Sequence, residues 1–403
     1  MRPDLFRHTI PFDDALRRVL EAATPVERVV TLSLGEAATR VAAYDVTSTI
    51  DVPPFDRAAM DGYAVRSTDV GGAAPGTPVE LTCIDQIFTG HVSPHIISTG
   101  QCAEIGTGAP LPAGADAVVM VERTSRQGGV VSVRETARAR QNVGPRGGDI
   151  AVGQRAVRAG DVISPARAGA LAAIGRTTVE AFDRPHIAVL STGSELTPPG
   201  TPLPPGHIYN VNSVTLTAII RQHGGEPVAL DHVDDSIDAL VTTLEQAARY
   251  DAIVTSGGTS VGGRDLLLDA VQRCGTIAFH GIAVRPGKPT LFGHIGRTPI
   301  FGMPGNPTSC LSNACILLVP FLRKVARLPP WQPVLRHLPL ARTVKALEDR
   351  HQFYTVRIVG GVAEPAFKSS GDITSMAAAD GYIEVLAGTK GFEEGETVTV
   401  TLL

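Results

Sequence analysis

Acidic side chains follow three apolar segments in the second half of the chain. Glu195 comes after "HIAVLSTG", Asp234 and Asp235 come after "PVALDHV", and Asp265 ends the loop "SGGTSVGGRD". Carboxylates gathered at one place repel each other unless a cation lies between them, and hard oxygen ligands suit Mg²⁺ better than Zn²⁺. The set therefore predicts a magnesium site, whereas each carboxylate taken alone could equally cap the helix that follows it.

The loop before Asp265 is rich in glycine and in hydroxyl groups. Glycines let backbone N–H groups approach a ligand closely, and a helix N-terminus after such a loop favours an anion. The loop matches neither of the nucleotide motifs GxGxxG and GxxxxGK[ST], and a flexible strand-to-helix connection is the alternative interpretation. Its candidate ligands are Ser256, Gly257, Gly258, Thr259, Ser260, Gly262 and Gly263.

Two proline-glycine turns, "RPGKP" and "MPGNP", flank the apolar stretch "TLFGHIGRTPIFGM", which is typical of a hairpin. A turn needs no cation, yet the first turn contains Arg285 and Lys288 and so predicts an anion site. The second turn places Asn306 and Pro307 where a helix would begin, with Asn306 as its cap. An anion beside a carboxylate-bound metal is typical of phosphate chemistry.

The composition argues against several other classes of function. A net charge of −4 provides no basic field for nucleic acid or an acidic membrane surface. No serine or cysteine stands in a recognisable triad with histidine and no HExxH motif occurs, so acyl transfer and a zinc site are poorly supported. Five scattered cysteines, a charged N-terminus and no run of about 18 apolar residues predict a cytoplasmic protein without a signal peptide or a membrane span.

From His186 onward, candidate strands alternate with candidate helices. The strands are "HIAVLSTG", "PVALDHV", "DAIVTSGG" and "TPIFGMPG", and the helices are "NSVTLTAIIRQHG", "SIDALVTTLEQAARY", "RDLLLDAVQRCG" and "TSCLSNACILLVPFLRKVA". This alternation predicts a helix-covered, mostly parallel sheet. Ligands of such sheets bind outside the carboxyl ends of the strands, which is where the acidic and glycine-rich loops lie.

The rest of the chain predicts further, smaller units. Residues 12–23 have the apolar spacing of a helix, "VVTLSLGEAATRVAAYDV" is typical of a short strand followed by a helix, and residues 51–140 read as short strands broken by glycine and proline. The predicted fold is therefore an α/β and β multidomain protein, whose last domain is a small barrel-like β-domain. The predicted boundaries are 1–50 with 141–180 for an N-terminal linker and dimerisation domain, 51–140 for the β-rich insertion, 181–327 for the α/β domain and 328–403 for the C-terminal domain.

Eight of these stretches, taken in order, resemble the signatures of molybdopterin molybdenumtransferase, a bacterial enzyme family of molybdenum cofactor synthesis related to the gephyrin E-domain. The stretches are "PPFDRAAMDGYAV", "IGTGAPLPAGADAVVMVE", "VGPRGGDI", "LSTGSEL", "IYNVNS", "TSGGTSVGGRD", "VRPGKP" and "FGMPGNP". The closing "SSGDITSMAAADGYIEV" is similar to the end of that family.

The resemblance implies an elongated homodimer of four-domain subunits, in which the α/β domain faces a cleft built partly by the β-rich domain of the other subunit. Family members insert molybdenum from molybdate into the dithiolene of adenylylated molybdopterin and release AMP, with Mg²⁺ assisting. The upstream molybdopterin adenylyltransferase would be a partner, and neither nucleic acid nor a membrane is implied.

The resemblance also assigns roles to residues, motif by motif. Asp61, Thr107 and Asp149 would complete the cleft, and Glu195, Asp235 and Asp265 would be the metal and substrate carboxylates. Lys288 joins Asp61, Asp149 and these three carboxylates as a catalytic residue. The substrate- and anion-binding set consists of Thr107, Ser256, Gly257, Gly258, Ser260, Arg285, Pro304, Pro307, Ser369 and Ser370.

The sequence leaves some alternatives open. Tungstate differs too little from molybdate in size and charge for sequence to separate them, and a gephyrin-like dimeric scaffold would keep the fold without turnover. Gly263, Ser194 and Arg285 depart from residues that many family members have at these positions, and either Asp234 or Asp235 could be the acting carboxylate.

Overall fold

The computed structural model describes residues 9–230, 236–257, 265–347 and 349–403. The chain forms two compact units, one of residues 1–30, 39–41 and 181–403 (the α/β unit) and one of residues 31–38 and 42–180 (the β-rich unit). The finer four-domain boundaries stay a prediction.

The first helix, α1 (Phe12–Glu21), lies where the apolar spacing predicted it and buries Ala15 and Val19. After the strand Val29–Ser33, the predicted helix over "GEAATRVAAYDV" is wrong, because residues 34–39 form turns. The carboxylate of Glu36 accepts a hydrogen bond from the hydroxyl of Ser33 at 2.6 Å, which closes a single turn. Thr39 then has a left-handed φ of 68°, which a continuing right-handed helix does not accommodate.

The β-rich unit contains a six-stranded sheet, as the short strands predicted. Its strands are β1 (Gly62–Val65), β2 (Val79–Ile87), β3 (Gln101–Ile105), β4 (Ala117–Met120), β5 (Thr124–Gln127) and β6 (Val130–Val133). They lie in the order β4-β1-β3-β2-β6-β5, and all pairs are antiparallel except β2 with β3. Helix α2 (Pro165–Ala173) follows, and the hydroxyl of Ser164 caps its first turn.

A second six-stranded sheet forms the centre of the α/β unit. Its strands are β7 (His186–Ser191), β8 (Glu226–Ala229), β9 (Ala252–Ser256), β10 (Thr276–His280), β11 (Leu291–Ile295) and β12 (Thr298–Met303). They lie in the order β8-β7-β9-β12-β11-β10, with the first four strands parallel. Strands β11 and β12 form the predicted hairpin, and their short turn at Gly296 makes this pair antiparallel, as β10 with β11 is too. The sheet is therefore mostly parallel, as predicted.

Helices cover both faces of this sheet. They are α3 (Val211–Gln222), α4 (Ile237–Ala247), α5 (Leu266–Cys274), α6 (Pro307–Asn313) and α7 (Val319–Val325), with a π-helical segment, Ala314–Leu318, between the last two. Helices α4 and α5 pack on one face, and α1, α3, α6 and α7 pack on the other. Within the described ranges, Pro307–Val325 is long and apolar enough to cross a membrane, but 72% of it is buried, as in the core helix of a soluble protein.

The C-terminal residues of the α/β unit form a third sheet. Its strands are β13 (Leu335–Pro339), β14 (His351–Val359), β15 (Val362–Pro365), β16 (Gly381–Val385) and β17 (Thr397–Leu402), with the short helix α8 (Thr374–Ala377). Residues Val284–Arg285, which begin the first proline-glycine turn, pair in parallel with His351 and Gln352 of β14. A bridge joins Leu340 to Ala363, and a barrel-like closure of this domain stays a prediction.

Candidate functional site

Three parallel strands end level with each other at the carboxyl edge of the central sheet. Ser191 of β7 pairs with Ser256 of β9, which pairs with Met303 of β12. The loops that follow therefore begin side by side. Gly257 has a φ of 87°, and a Cβ there would lie 2.3 Å from the carbonyl oxygen of Thr192, so the first two loops are in direct backbone contact. This is the edge at which the sequence predicted a ligand site.

Asn212, at the start of α3, links the end of β9 to the loop that follows β12. Its Nδ2 donates to the hydroxyl of Ser256 at 2.7 Å and to the carbonyl oxygen of Gly305 at 2.8 Å. Only 7% of Asn212 is exposed, and its Oδ1 is buried with no hydrogen bond to the described residues. A buried amide thus fixes the ends of β9 and β12 relative to each other.

The predicted metal carboxylates have different environments. Asp235 lies outside the described residues, together with Asp234, Gly258, Thr259, Ser260, Gly262 and Gly263. Glu195 is exposed, and its carboxylate lies over Gly193, where a Cβ would be 2.7 Å from Oε2. No hydrogen bond joins the Glu195 carboxylate to another described residue, so its oxygens are available to a ligand. In the part of the chain that is described, no group of three or more His, Cys, Asp and Glu side chains has the arrangement of a metal site.

Of the two carboxylate oxygens of Asp265, only Oδ1 has a hydrogen bond to a described residue, whereas Oδ2 is buried close to a histidine. Oδ1 caps α5 by accepting from the N–H of Leu268 at 2.9 Å, and Oδ2 lies 3.2 Å from Nε2 of His280. Only 4% of Asp265 is exposed. The helix-cap interpretation weighed for this residue therefore describes part of its role, and His280 is its second partner.

The first proline-glycine turn presents its cations at the junction with the C-terminal sheet. Arg285 is exposed, and its guanidinium carbon lies 6.0 Å from the centre of the Phe367 ring. The carbonyl oxygen of Lys288 accepts from the N–H groups of Ile282 at 3.0 Å and Thr290 at 2.9 Å, which holds the turn closed. The Arg285–Pro286 peptide bond is cis.

The second turn begins α6 with Pro307 at the first helical position, as predicted. Asn306 occupies the cap position, but the prediction that its side chain caps the helix is wrong. Its Nδ2 instead donates to the hydroxyl of Ser370 at 2.9 Å, and the carbonyl oxygen of Ser370 accepts from the N–H of Thr308 at 3.1 Å. The C-terminal loop therefore takes the place of a cap.

The other predicted residues of this region are also placed. Ser369, which is exposed, donates its hydroxyl to Asp372 at 2.8 Å. Pro304 is buried directly after β12. The structure thus brings Ser370 to the second turn, whereas it does not bring the Ser369 hydroxyl into contact with either proline-glycine turn.

In the β-rich unit, the structure joins two of the three predicted cleft residues. The Asp61 carboxylate accepts from the backbone N–H of Thr107 at 2.6 Å and from its hydroxyl at 2.9 Å. These two bonds hold the pKa of Asp61 below its usual value. Asp149 is exposed on another loop, where its backbone N–H donates to Val52 at 3.0 Å.

Sequence reasoning missed three polar residues of this site: the buried Asn212 and Asn313, and His280, whose side chain is 10% exposed. Asn313, in the last turn of α6, donates to the carbonyl oxygen of Gly287 in the first turn. Asn212 and Asn313 lie in helices that contain other polar residues, and His280 ends a strand, and polar residues at such positions are more often solvated than buried. The motif "IYNVNS" contained Asn212, but nothing in its spacing distinguished this asparagine from Asn210.

Comparison with protein families covers most of the chain. Residues 10–175 match the MoeA N-terminal region (domains I and II), and residues 188–324 match a probable molybdopterin binding domain. Residues 337–403 match the MoeA C-terminal region (domain IV).

Individual relatives match over nearly their whole length. Molybdopterin molybdenumtransferase 2 of Mycobacterium tuberculosis is 34% identical, over 93% of this chain and 96% of the relative. Molybdopterin molybdenumtransferase of Staphylococcus aureus is 28% identical, over 98% of this chain and 96% of the relative. The crystal structure of a molybdopterin biosynthesis MoeA protein from Pyrococcus horikosii is 36% identical and superimposes with a TM-score of 0.84, covering 98% of this chain and 99% of that one. The chain therefore belongs to the molybdopterin molybdenumtransferase family, whose members are enzymes of molybdenum cofactor biosynthesis.

Proposed function

We propose that this enzyme inserts molybdenum from molybdate into the dithiolene of adenylylated molybdopterin and releases AMP. The observation that supports this proposal is the aligned ending of β7, β9 and β12, by which the loop that contains the exposed Glu195 begins beside Ser256 and Gly257. Helix α6 begins at the second turn and contacts the first turn through Asn313. The same packed strands and helix thus position both Glu195 and the turn that contains Arg285 and Lys288.

The cations and the backbone would bind the anionic parts of the substrates. The guanidinium of Arg285 can donate two parallel hydrogen bonds to an oxyanion, whereas the ammonium of Lys288 interacts as a compact positive charge. We expect Ser256 and Gly257 to contact the molybdopterin end of the substrate, together with Gly258 and Ser260 of the same loop. Pro304, Pro307, Ser369 and Ser370 would shape the wall of this pocket.

A magnesium ion fits part of the predicted set of ligands. Glu195 offers carboxylate oxygens without a partner among the described residues, which is the donor type that Mg²⁺ prefers. Asp265 is buried, its Oδ1 caps α5 and its Oδ2 lies 3.2 Å from His280, so its carboxylate is less accessible to a metal than that of Glu195. We therefore propose Glu195 and Asp235 as the principal ligands, with Asp265 capping the first turn of α5. When bound, Mg²⁺ would neutralise charge on the adenylate phosphates.

We also propose that the enzyme acts as a homodimer in the cytoplasm. Asp61, Thr107 and Asp149 would then reach the α/β site of the partner subunit, as the family resemblance implies. All five cysteines are free thiols, which suits a reducing compartment. The enzyme that adenylylates molybdopterin would supply its substrate.

Release of AMP tests this function. The protein would be incubated with adenylylated molybdopterin and Mg²⁺, with molybdate present or omitted, and both AMP and active cofactor would be measured. We expect molybdate-dependent formation of both products, and a loss of at least about 100-fold in the folded Lys288→Ala variant, since one cation that neutralises transition-state charge is removed.

A scaffold would give a different result. Tight binding of molybdopterin by an intact dimer without AMP release would contradict the proposed reaction. Replacement of molybdate by tungstate in the same assay would determine which oxyanion the enzyme prefers.

A further inference from the structure

A closed hydrogen-bond network connects Asn313 to the first proline-glycine turn. Nδ2 of Asn313 donates to the carbonyl oxygen of Gly287 at 2.7 Å and to the hydroxyl of Thr290 at 2.5 Å. The hydroxyl of Thr290 donates to the same carbonyl oxygen at 2.9 Å. A carbonyl oxygen only accepts hydrogen bonds, so the NH₂ end of the amide must face Gly287.

The network is buried, and it leaves no room for a side chain at position 287. Asn313 and Thr290 are both 0% exposed. Gly287 has a left-handed φ of 101°, and a Cβ there would lie 2.3 Å from Nδ2 of Asn313. The amide therefore packs directly against the backbone of the turn, and any change in its position would move the Gly287 peptide.

The direction of the Gly287 carbonyl determines the direction of the next backbone N–H, that of Lys288. In a planar trans peptide the carbonyl oxygen of one residue and the N–H of the next point in opposite directions. Because Asn313 and Thr290 turn the Gly287 oxygen into the core, the N–H of Lys288 points away from Asn313. The orientation of the backbone between Arg285 and Lys288 is thus set by a helix residue that lies behind the turn.

We propose that Asn313 is a positioning residue that fixes the Arg285–Lys288 turn for binding of a tetrahedral oxyanion of the molybdate class. This inference rests on the proposed function, because it assigns the oxyanion to that turn. Asn313 itself lies in the buried layer beneath the turn and does not touch the anion. This role of Asn313 also gives a reason for the presence of two proline-glycine turns, since α6 begins at the second turn and orients the first turn through Asn313.

Binding of molybdate to the full-length protein, measured by titration calorimetry, tests the inference. Asn313→Leu keeps the branching and the number of side-chain heavy atoms but removes the donor, and Thr290→Val removes the other donor to the same carbonyl. Each variant removes two of the three hydrogen bonds of the network, and we expect each to weaken molybdate binding by at least about tenfold. Thr298→Val is the matched control, since it also removes a threonine hydroxyl that donates to a backbone carbonyl, that of Ala248, at 2.6 Å. Thr298 begins β12, whereas the second proline-glycine turn follows the other end of this strand.

Steady-state kinetics separate positioning from a general loss of structure. For both variants we expect the KM for molybdate to rise while the KM for adenylylated molybdopterin stays within about twofold, because only the oxyanion turn is displaced. Unchanged molybdate affinity in folded Thr290→Val and Asn313→Leu proteins would overturn the inference, and if Asn313→Leu does not fold, Thr290→Val decides alone. Molybdate binding without turnover in the wild-type protein would refute the proposed reaction but leave this comparison valid, whereas a wild-type protein that binds no molybdate would overturn both.

Discussion

At the scale of single residues, the buried amide of Asn212 connects the end of β9 to the second proline-glycine turn. Asn212 donates hydrogen bonds to the hydroxyl of Ser256 and to the carbonyl oxygen of Gly305, although it has no charge and no reactive atom. A buried polar group that loses its partner costs more than the hydrogen bond itself contributes, so such a residue holds its neighbours firmly. We therefore expect substitutions at Asn212 to affect the site as strongly as substitutions of exposed ligands.

The prediction for Asn212→Ala is a combined loss of stability and activity. The carbonyl of Gly305 and the hydroxyl of Ser256 lose their donor, which should cost about 1–3 kcal/mol in the free energy of unfolding. Asn210→Ala is the control, because Asn210 caps the same helix through Ser213 and accepts from the hydroxyl of Ser191, without a hydrogen bond to Ser256 or Gly305. Urea unfolding and AMP release should show similar stability losses but reduced turnover only for Asn212→Ala. Equal turnover in the two variants would contradict this role.

A second residue-scale prediction concerns acid stability and lies away from the site. His223 is 5% exposed, and burial, with a smaller effect of the Arg323 charge, lowers the pKa of His223 to about 4. Between about pH 6.5 and pH 4 the His223 imidazole is protonated in the unfolded chain but stays neutral in the folded chain. Stability should therefore fall over this range as the pH falls, by up to about 3 kcal/mol.

Fluorescence measures this effect directly, since Trp331 is the one tryptophan of the chain and its ring lies edge-on to His223 at 5.1 Å. Unfolding followed by Trp331 emission at several pH values should show a weaker acid dependence in His223→Phe than in the wild type. An acid dependence identical in both proteins would assign the effect to other groups.

The residues found from sequence and those missed differ in a physical way. Glu195, Arg285 and Lys288 were predicted because charged residues after apolar strands or in glycine turns have no structural reason to be there. Asn313 and His280 could not be predicted, because their roles depend on which segments pack against α6 and β10. Only the folded chain brings those partners together.

At the scale of elements, glycines determine how closely the loops of the site can approach. Gly257 and Gly296 both have left-handed φ values, but a Cβ at Gly257 would meet the Thr192 oxygen at 2.3 Å, whereas a Cβ at Gly296 would meet nothing within 4 Å. The pair therefore separates the effect of backbone conformation from that of contact.

We expect Gly296→Ala to cost about 1–2 kcal/mol in unfolding free energy, the cost of a left-handed conformation alone. Gly257→Ala should cost at least about 3 kcal/mol, because it adds an overlap that must push β7 and β9 apart. Denaturant unfolding of both variants measures the difference. Costs that agree within error would mean that the first two loops are not in the close contact described.

Prediction of elements succeeded where periodicity and turn chemistry agreed. The strands β7, β9 and β12 and the hairpin around Gly296 were found, because each combines an apolar run with a glycine or proline boundary. The predicted helix after Val29–Ser33 was wrong, since its alanine-rich composition favours a helix locally while tertiary structure imposes a left-handed residue at Thr39.

At the scale of the whole molecule, a shared site makes a specific prediction. If the β-rich unit of one subunit completes the α/β site of its partner, Asp61→Asn and Lys288→Ala inactivate the same site from different chains. Mixing the two inactive proteins and letting their subunits exchange should restore about a quarter of wild-type turnover, because half of the dimers are mixed and one of their two sites is intact. Rate of AMP release after exchange is the measurement.

The control is each variant exchanged with itself, which should stay inactive. Failure to regain activity, with exchange verified by differently tagged subunits, would place Asp61 and Lys288 of the same chain in one site. Sequence alone could suggest the dimer only through family resemblance, because no periodicity or composition distinguishes contact with a partner from contact within the chain.

The pairing of Val284–Arg285 with β14 has a consequence for how the protein is made. The edge of the last sheet is supplied by residues that are synthesised more than 60 positions before His351. While the ribosome is still translating the linker "RLPPWQP", the cationic turn has no strand beside it, however well the central sheet has already folded. The surroundings of this turn are thus completed late, when the final segment emerges, and a chain released early would have a formed central sheet but no partner strand for Val284–Arg285.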